Sequence, residues 1–306
     1  MTINISKGIN RRRFMMASMA GGLLATAPTI TSAKARPFKL NYAPHPGTFR
    51  ASAGDDIVDQ IEFAADAGFN AWEDNNMRGR DIAEQQRIAA SLERRKVRMG
   101  VFVGADISWS EPGMTSGDAE SRAAFLADIR GSVDVAKRVN ATWMTIVPGH
   151  VDPRLKPHFQ MAHVVESLKQ AAAILEPHDL VMVLEPLNFR DHPGMFLTEI
   201  PQAHMICKAV DSPACKVLFD IYHQQISEGN IIPNIDLAWD EIAYFQVGDN
   251  PGRKEPTTGE INYRRVFEHI YRKGFKGVVG MEHGNSIEGA AGDRALIEAY
   301  RTSDNY

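Results

Sequence analysis

The sequence predicts one α/β domain, a (β/α)₈ TIM barrel, behind a short export signal. Eight short apolar segments alternate with longer segments whose apolar residues recur every three or four positions, which is the pattern of strands alternating with amphipathic helices. A single barrel of this type occupies roughly 250 residues. It therefore nearly fills this chain of 306 residues, and no linker or low-complexity stretch separates the segments.

The predicted strands are short runs rich in branched and aromatic residues, at 38–43, 69–73, 97–103, 142–147, 180–185, 216–220, 242–247 and 277–282. The predicted helices include 57–67, 82–95, 119–139, 161–175, 201–210 and 263–273. An open doubly wound sheet is the alternative, and it often carries a Gly-rich phosphate loop after its first strand. Pro44-His45-Pro46-Gly47 follows the first strand here and is not such a loop. The strand count therefore favours the barrel.

Residues 1–35 differ from the rest of the chain because they contain five basic residues and no acid. Arg11-Arg12-Arg13-Phe14, a modest apolar stretch, and the small-x-small site Ala33-Lys34-Ala35 are typical of a cleavable twin-arginine signal. We therefore expect a signal peptide at 1–35 and the barrel at 36–306, exported folded by the twin-arginine machinery to the periplasm or the exterior. The apolar stretch is too short for stable membrane insertion after processing. The alternative is a basic N-terminus on a cytoplasmic protein.

The charge balance argues against nucleic acid as a partner. The whole chain carries a net charge of −4 and the N-terminal segment carries +5, which leaves about −9 on the remaining domain. Binding to phosphate backbones requires clustered lysine and arginine, and the domain has no basic run. A homo-oligomer is compatible with the sequence, which does not decide it.

Two cysteines are present, Cys207 and Cys215. An oxidising compartment would permit a disulfide between them. The alternative is a pair of small buried apolar residues, one on a helix and one at the start of a strand. The sequence leaves both alternatives open.

The active site of a TIM barrel lies at the carboxyl ends of its strands, and four of these ends carry an oxygen ligand. Three carboxylates meeting at a barrel mouth would repel one another, and a divalent cation removes that repulsion. Carboxylate and amide oxygens suit Mg²⁺ or Mn²⁺. A lone glutamate after a strand is more often a helix cap or a solvated loop residue, but four consecutive strand ends are harder to dismiss. The expected ligands, on strands five to eight, are Glu185, Asp220, Gln246 and Glu282.

Longer motifs surround these residues: Leu184-Glu185-Pro186-Leu187-Asn188, Asp220-Ile221-Tyr222-His223-Gln224, a run from Gln246 to Tyr263 that contains Pro251-Gly252-Arg253-Lys254-Glu255-Pro256, and Met281-Glu282. Together they resemble the hydroxypyruvate isomerase family of the xylose-isomerase-like sugar isomerase and epimerase barrels. Ketose 3-epimerases have a similar pattern with histidine at the third ligand position, so Gln246 favours the isomerase branch. Tyr244 departs from that branch, which usually has histidine there. The N-terminal third does not closely match the family.

The resemblance implies a metal-dependent isomerase that interconverts a small α-hydroxy carbonyl acid, such as hydroxypyruvate or tartronate semialdehyde, through an enediolate. Glu185 and Glu282 would be both metal ligands and the acid/base pair, whereas Asp220 and Gln246 would be ligands only. The substrate would be bound by His150 and His223 through its oxygens and by Arg253 through its carboxylate, with Glu255 orienting the arginine. For two of these residues another role is open: His223 could instead fix Glu185, and Arg253 could tie down its own loop.

Three other functions use the same barrel. A ketose or keto-sugar 3-epimerase would use the same metal and the same two glutamates. A non-catalytic periplasmic sugar-binding barrel would bind its ligand without turnover. A metal-dependent phosphodiesterase of the endonuclease type would require several more histidine ligands than the strand ends provide.

Overall fold

Residues 36–306 are described by a computed structural model. The predicted signal peptide and its processing site lie outside these residues. The described residues form a TIM-barrel-like α/β fold in which strands and helices alternate along the chain. The strands are β1 Asn41–Ala43, β2 Ala71–Trp72, β3 Arg98–Met99, β4 Trp143–Ile146, β5 Val181–Leu184, β6 Cys215–Asp220, β7 Ile242–Gln246 and β8 Val278–Gly280.

All paired strands run parallel, as a barrel requires. Six of them form one sheet in the order β1-β8-β7-β6-β5-β4, and β2 pairs with β3 in a second sheet. Backbone hydrogen bonds beyond the strand ends join the two sheets on both sides. Glu73 N–H donates to the Pro44 carbonyl at 2.9 Å, and Thr145 N–H donates to the Phe102 carbonyl at 2.8 Å. The eight predicted strands are therefore found at their predicted places, although all except β6 are shorter than expected and they divide into two sheets.

The helices between the strands are α1 Arg50–Ala53, α2 Ile57–Asp66, α3 Ile82–Arg95, α4 Ala119–Val139, α5 Pro157–Leu175, α6 Ile200–Val210, α7 Ile221–Ser227, α8 Ile231–Ala238, α9 Tyr263–Arg272 and α10 Gly289–Ser303. Short 3₁₀ helices lie at Met77–Gly79, Met114–Ser116 and Glu176–His178. None of the helices within residues 36–306 is both long and apolar enough to span a bilayer.

Aspartate caps begin three of the longer helices. The side chains of Asp56, Asp81 and Asp118 each accept a hydrogen bond from a backbone N–H of the first turn, at 2.8 Å in all three helices. Such caps satisfy N–H groups that the helix itself leaves without partners. These helices therefore begin where local sequence signals place them, and the periodic apolar residues then determine which face packs on the strands.

The two cysteines lie at adjoining elements, Cys207 on α6 and Cys215 at the start of β6. Both are buried and both are free thiols. In this structure they are the small buried residues of the second alternative and are not joined by a disulfide.

Candidate active site

Strand register brings the carboxyl ends of β6, β7 and β8 side by side. Asp220, the last residue of β6, pairs with Gln246 of β7, and Gln246 pairs with Gly280 of β8. Glu185 directly follows β5, and Glu282 lies two residues beyond the end of β8. The four residues predicted as ligands thus lie at the carboxyl ends of consecutive strands. Asp220 and Gln246 are the last residues of their strands, whereas Glu185 and Glu282 lie just beyond theirs.

Asp220 is fixed by the helix that follows it. Its Oδ1 accepts hydrogen bonds from the backbone N–H groups of Tyr222 and His223, at 2.8 and 3.2 Å, and caps α7. The sequence patterns did not predict α7. Its first turn brings His223 back beside the carboxylates, with Nε2 3.7 Å from Asp220 Oδ2 and 3.8 Å from Glu185 Oε1. Ligand atoms of Glu185, Asp220 and His223 lie within 4.8 Å of one another.

Hydrogen bonds from Asn188 determine the tautomer of His223. The Asn188 Oδ1 accepts from the N–H groups of Arg190 and Asp191, so its Nδ2 end is the donor end of the amide. That Nδ2 lies 2.7 Å from His223 Nδ1, and the Asn188 backbone N–H also donates to Nδ1 at 3.2 Å. Nδ1 is therefore the acceptor, and Nε2 carries the proton. Because burial lowers the pKa of His223 to about 4, the ring is neutral.

This tautomer is compatible with both roles that the sequence left open for His223, a hydrogen bond to a substrate oxygen and one that fixes Glu185. A protonated Nε2 cannot ligate a metal, but it can donate a hydrogen bond to an oxygen at the site. The side chain therefore provides a neutral donor beside Glu185 and Asp220. Asn188 acts through it, as an anchor of the ring.

Arg253 connects the two sides of the site. Its Nη2 lies 3.1 Å from Asp220 Oδ2 and 2.7 Å from Glu282 Oε2, and its Nε donates to the Glu282 carbonyl at 3.0 Å. The guanidinium also stacks on the Tyr222 ring, 4.8 Å from its centroid. The expected role of Arg253 was to bind a substrate carboxylate. In this structure its Nη2 bonds to two protein carboxylates, which it partly neutralises, and its Nε bonds to a backbone carbonyl.

Glu255 has a different partner from the one expected, and His150 contacts neighbouring loops. The Glu255 carboxylate is buried and accepts from the Ser286 N–H at 2.8 Å and from the Ser286 hydroxyl, so it ties the loop after β7 to the loop after β8. The hydrogen bonds of Arg253 do not include it. His150 Nδ1 lies 2.9 Å from the Val151 carbonyl oxygen, and its ring packs so closely on Gly194 that a Cβ there would overlap Nε2. Within residues 36–306, the recorded contacts of His150 are with its own loop and with the loops after β3 and β5, and not with the carboxylates.

Gln246 presents an amide oxygen without a partner. Its Nε2 donates to Glu73 Oε1 at 2.8 Å, whereas its Oε1 is buried and has no hydrogen-bond partner among the described residues. Such a group is rare in folded proteins, because burying an unpaired carbonyl costs about 1–3 kcal/mol. This oxygen is therefore free to accept a hydrogen bond or to bind a cation at the carboxyl end of β7.

The carboxylates themselves are destabilised in their charged forms. Burial, and next the charges of Glu282 and Asp220, raise the pKa of Glu185 well above its ordinary value. Desolvation raises the pKa of Glu282 to about 7, against the opposing charge of Arg253. A cation with oxygen ligands would relieve both effects and would also satisfy Gln246 Oε1. These residues therefore fit the divalent metal that the strand ends predicted.

Two residues of the site were missed by the sequence analysis, Glu73 and Asn75. Glu73 follows β2 directly and accepts hydrogen bonds from Tyr244 and Gln246, both at 2.8 Å. Asn75 Nδ2 donates to Glu282 Oε1 at 2.9 Å. The available signal is the same as on strands five to eight, a polar residue at the end of an apolar strand, because Glu73 directly follows β2.

A cavity of about 450 Å³ adjoins this side of the site. It is lined by His45, Asn75, Arg253, Glu282 and others from the loops after β1, β2, β7 and β8. Of the three carboxylates, Glu282 has the most exposed side chain, at 26%, compared with 9% for Glu185 and 1% for Asp220. A small polar molecule in the cavity would therefore meet Glu282 first.

Comparison with known proteins identifies the family. The model of the xylose isomerase-like TIM barrel family matches residues 61–302. The chain belongs to the xylose isomerase-like TIM barrel family. Within this family it is 30% identical to hydroxypyruvate isomerase of Escherichia coli K12 over 249 residues, which cover 80% of this chain and 94% of that protein.

Further members of the xylose isomerase-like family support the assignment. The chain is 28% identical to the 2-oxo-tetronate isomerase of Cupriavidus necator, over 74% of this chain and 86% of that one. Its fold matches the crystal structure of an AP endonuclease, family 2, from Brucella melitensis with a TM-score of 0.73 and 25% identity, over 83% of this chain and 96% of that one. The resemblance seen in the sequence motifs is thus confirmed, and the relatives support an isomerase.

Proposed function

We propose that this isomerase is metal-dependent and interconverts a small α-hydroxy carbonyl acid of the hydroxypyruvate or 2-oxo-tetronate kind. The observation that carries the proposal is the set of oxygens around the strand ends: three carboxylates and the unpaired Gln246 Oε1. The names of the two relatives, hydroxypyruvate isomerase and 2-oxo-tetronate isomerase, supply the substrate class.

Glu185, Asp220, Gln246 and Glu282 would hold the metal. When bound, Mg²⁺ or Mn²⁺ would polarise the carbonyl and stabilise negative charge on oxygen. Arg253 would balance the remaining negative charge of Asp220 and Glu282. His223 would donate its Nε2 proton in a hydrogen bond to a substrate oxygen beside Glu185.

Glu185 and Glu282 would move the proton. One carboxylate takes the proton from the hydroxyl-bearing carbon, which gives an enediolate, and it or its partner returns a proton to the neighbouring carbon. Asn75 holds one oxygen of Glu282 and Arg253 holds the other, so the carboxylate is oriented along the cavity wall.

A ketose or keto-sugar 3-epimerase is the second candidate. The cavity of about 450 Å³ has room for a sugar larger than a three-carbon acid. The same glutamates would then remove and return a proton at one carbon instead of moving it between two. Product analysis separates the two reactions.

A phosphodiesterase of the endonuclease type has less support. The metal-ligand cluster found among residues 36–306 contains one histidine, His223, and the proton on its Nε2 keeps that nitrogen from ligating. The acidic charge of the domain also disfavours a nucleic-acid substrate.

The decisive experiment incubates Mn²⁺-loaded protein in heavy water with hydroxy-keto acids, ketoses and aldoses. We expect isomerised hydroxy-keto acid with deuterium at the exchanged carbon, and loss of exchange after chelation. Deuterated 3-epimers of a ketose would instead establish the second candidate. Ligand binding without turnover or exchange, unchanged in Glu185→Gln and Glu282→Gln, would identify a non-catalytic binding protein and overturn both.

We also propose that residues 1–35 direct export by the twin-arginine route, based on Arg11-Arg12-Arg13-Phe14. Replacing all three arginines by lysine preserves the charge. We expect the full-length protein to appear in the periplasmic fraction and the triple variant to remain in the cytoplasm. Equal periplasmic amounts of both proteins would contradict the proposal.

A further inference from the structure

We propose that Glu73 is a positioning residue that holds Gln246 with its amide oxygen free for the metal, with Tyr244 as its second partner. The inference rests on the proposed function, because it assigns a task in metal binding. It concerns a segment that none of the family motifs contains, and a tyrosine that departs from the isomerase branch.

Glu73 is confined on every side that the structure describes. Its carboxyl is 1% exposed, its Oε1 accepts from Gln246 Nε2 at 2.8 Å, and its Oε2 accepts from the Tyr244 hydroxyl at 2.8 Å. Across the barrel mouth, on β8, a Cβ at Gly280 would overlap Glu73 Oε2. Glycine at that position therefore leaves the space that the carboxyl occupies.

This contact determines which way the Gln246 amide points. An amide has one donating end and one accepting end, and Nε2 can only donate. Glu73 Oε1 is therefore the acceptor whether or not the carboxyl is protonated. With Nε2 turned to Glu73, Oε1 lies at the other end of the amide, where it is buried without a partner.

Tyr244 holds Glu73 from the same face of β7. It stands two residues before Gln246, so both side chains project from one side of the strand. Its hydroxyl accepts from the Val101 N–H at 3.3 Å and donates to Glu73, which links β7 to the segments after β2 and β3. A tyrosine does this without adding a charge, so the carboxylate stays available as an acceptor for Gln246.

A glutamine at position 73 would keep the size of the side chain but would no longer fix the orientation of the Gln246 amide. Two amides can pair in either sense, so Gln246 could turn its oxygen toward residue 73 and its NH₂ toward the metal ligands. Groups that orient metal ligands typically contribute 10- to 100-fold to metal affinity. Glu73→Gln should therefore weaken metal binding by about 10-fold or more.

The test is a calorimetric titration of the purified protein with Mn²⁺, together with thermal unfolding without metal. The matched control is Glu241→Gln, the same change at another buried glutamate. Glu241 lies just before the start of β7 and pairs with Lys216 of β6. We expect both variants to lose thermal stability, but only Glu73→Gln to lose Mn²⁺ affinity. A purely structural Glu73 would give the two variants the same wild-type affinity, and this result would overturn the inference.

Tyr244→Phe is the second variant, and it decides the matter if Glu73→Gln fails to fold. It removes one of the two hydrogen bonds to Glu73 and leaves the Gln246 contact, so we expect a smaller but measurable loss of Mn²⁺ affinity. A wild-type affinity in Tyr244→Phe would then count against the inference. If the wild-type protein itself binds no divalent metal, the proposed function fails together with this inference, whereas normal wild-type binding with unaffected variants refutes the inference alone.

Discussion

The two sides of the site are assembled in different ways. On the side of β5 and β6, Asp220 and His223 are held by short connections: Asp220 caps the helix that follows it, and His223 lies within the first turn of that helix. On the side of β7 and β8, Gln246 and Glu282 are held by Glu73 and Asn75, which lie 173 and 207 residues away in sequence. The first side is organised mainly by local sequence and the second by closure of the barrel.

This difference also separates the chemical tasks. The β5–β6 side is almost fully buried and contains the compact cluster of ligand atoms. The β7–β8 side adjoins the cavity and contains the most exposed of the three carboxylates, Glu282. Under the proposed function, substrate would meet the side that depends on distant contacts, and the cation would be held mainly from the side that depends on local contacts. Substitutions on the two sides test this comparison.

The largest effect is expected from the two glutamates, one on each side. Glu185→Gln and Glu282→Gln preserve size but remove the carboxylate that moves the proton, so each should lower kcat by roughly 10²- to 10⁴-fold. Steady-state kinetics with the best substrate of the panel measures this. Glu185→Gln should also weaken Mn²⁺ binding more than Glu282→Gln, and the reverse order would break the comparison.

An intermediate effect is expected from Asn188 on the local side. Asn188→Ala removes the amide donor to His223 Nδ1 and leaves only the backbone N–H at 3.2 Å, so the ring is held less firmly in the Nε2–H tautomer. We expect about a 10-fold loss of kcat/KM, typical of a group that orients another. Nitrogen chemical shifts of His223 would report the tautomer, and an Nδ1–H form in the wild-type protein would contradict the assignment.

A similar loss is expected from Asn75 on the distant side. Asn75→Ala frees Glu282 Oε1 and should lower kcat/KM by about 10-fold, with little change in Mn²⁺ affinity. Asn70→Ala is the control, since Asn70 bonds to the exposed Asn41 side chain. Equal kinetic effects of the two variants would show that Asn75 has no specific role at Glu282.

The smallest effect is expected from a helix cap far along the chain from the motifs. Asp81 caps α3, because its side chain accepts a hydrogen bond from the Glu84 N–H at 2.8 Å. Asp81→Ala removes this cap. The free energy of unfolding should fall by about 1 kcal/mol with kcat unchanged. Chemical denaturation measures the first quantity. A marked loss of kcat would mean that activity follows global stability. The losses of kcat/KM in Asn75→Ala and Asn188→Ala could then be explained by reduced stability alone.

The alternation of strands and helices could be predicted because it depends on local periodicity. All eight strands are present, and the bounds of α3 and α4 are as predicted, since Asp81 and Asp118 cap them and the apolar residues recur at helical spacing. The ends of the strands were less predictable. Whether a residue such as Glu282 pairs with the next strand depends on that strand's register, which no local signal specifies.

The ligand residues could be proposed from the sequence because each follows an apolar strand and the motifs resemble one family. Their partners could not. The contacts Glu73–Gln246, Asn75–Glu282 and Arg253–Asp220 join residues on different strands or loops. Glu255 illustrates the same limit, since it lies two residues from Arg253 in sequence but pairs with Ser286.

The sequence by itself determined the class of fold, the family and the residue types at the carboxyl ends of the strands, because periodicity and motifs are properties of neighbouring residues. The tertiary structure alone decided the tautomer of His223, the bridging position of Arg253 and the orientation of the Gln246 amide. These features depend on hydrogen bonds between side chains that meet only when the strands are ordered around the barrel, and the energy of such bonds depends on distance and angle within a few tenths of an ångström.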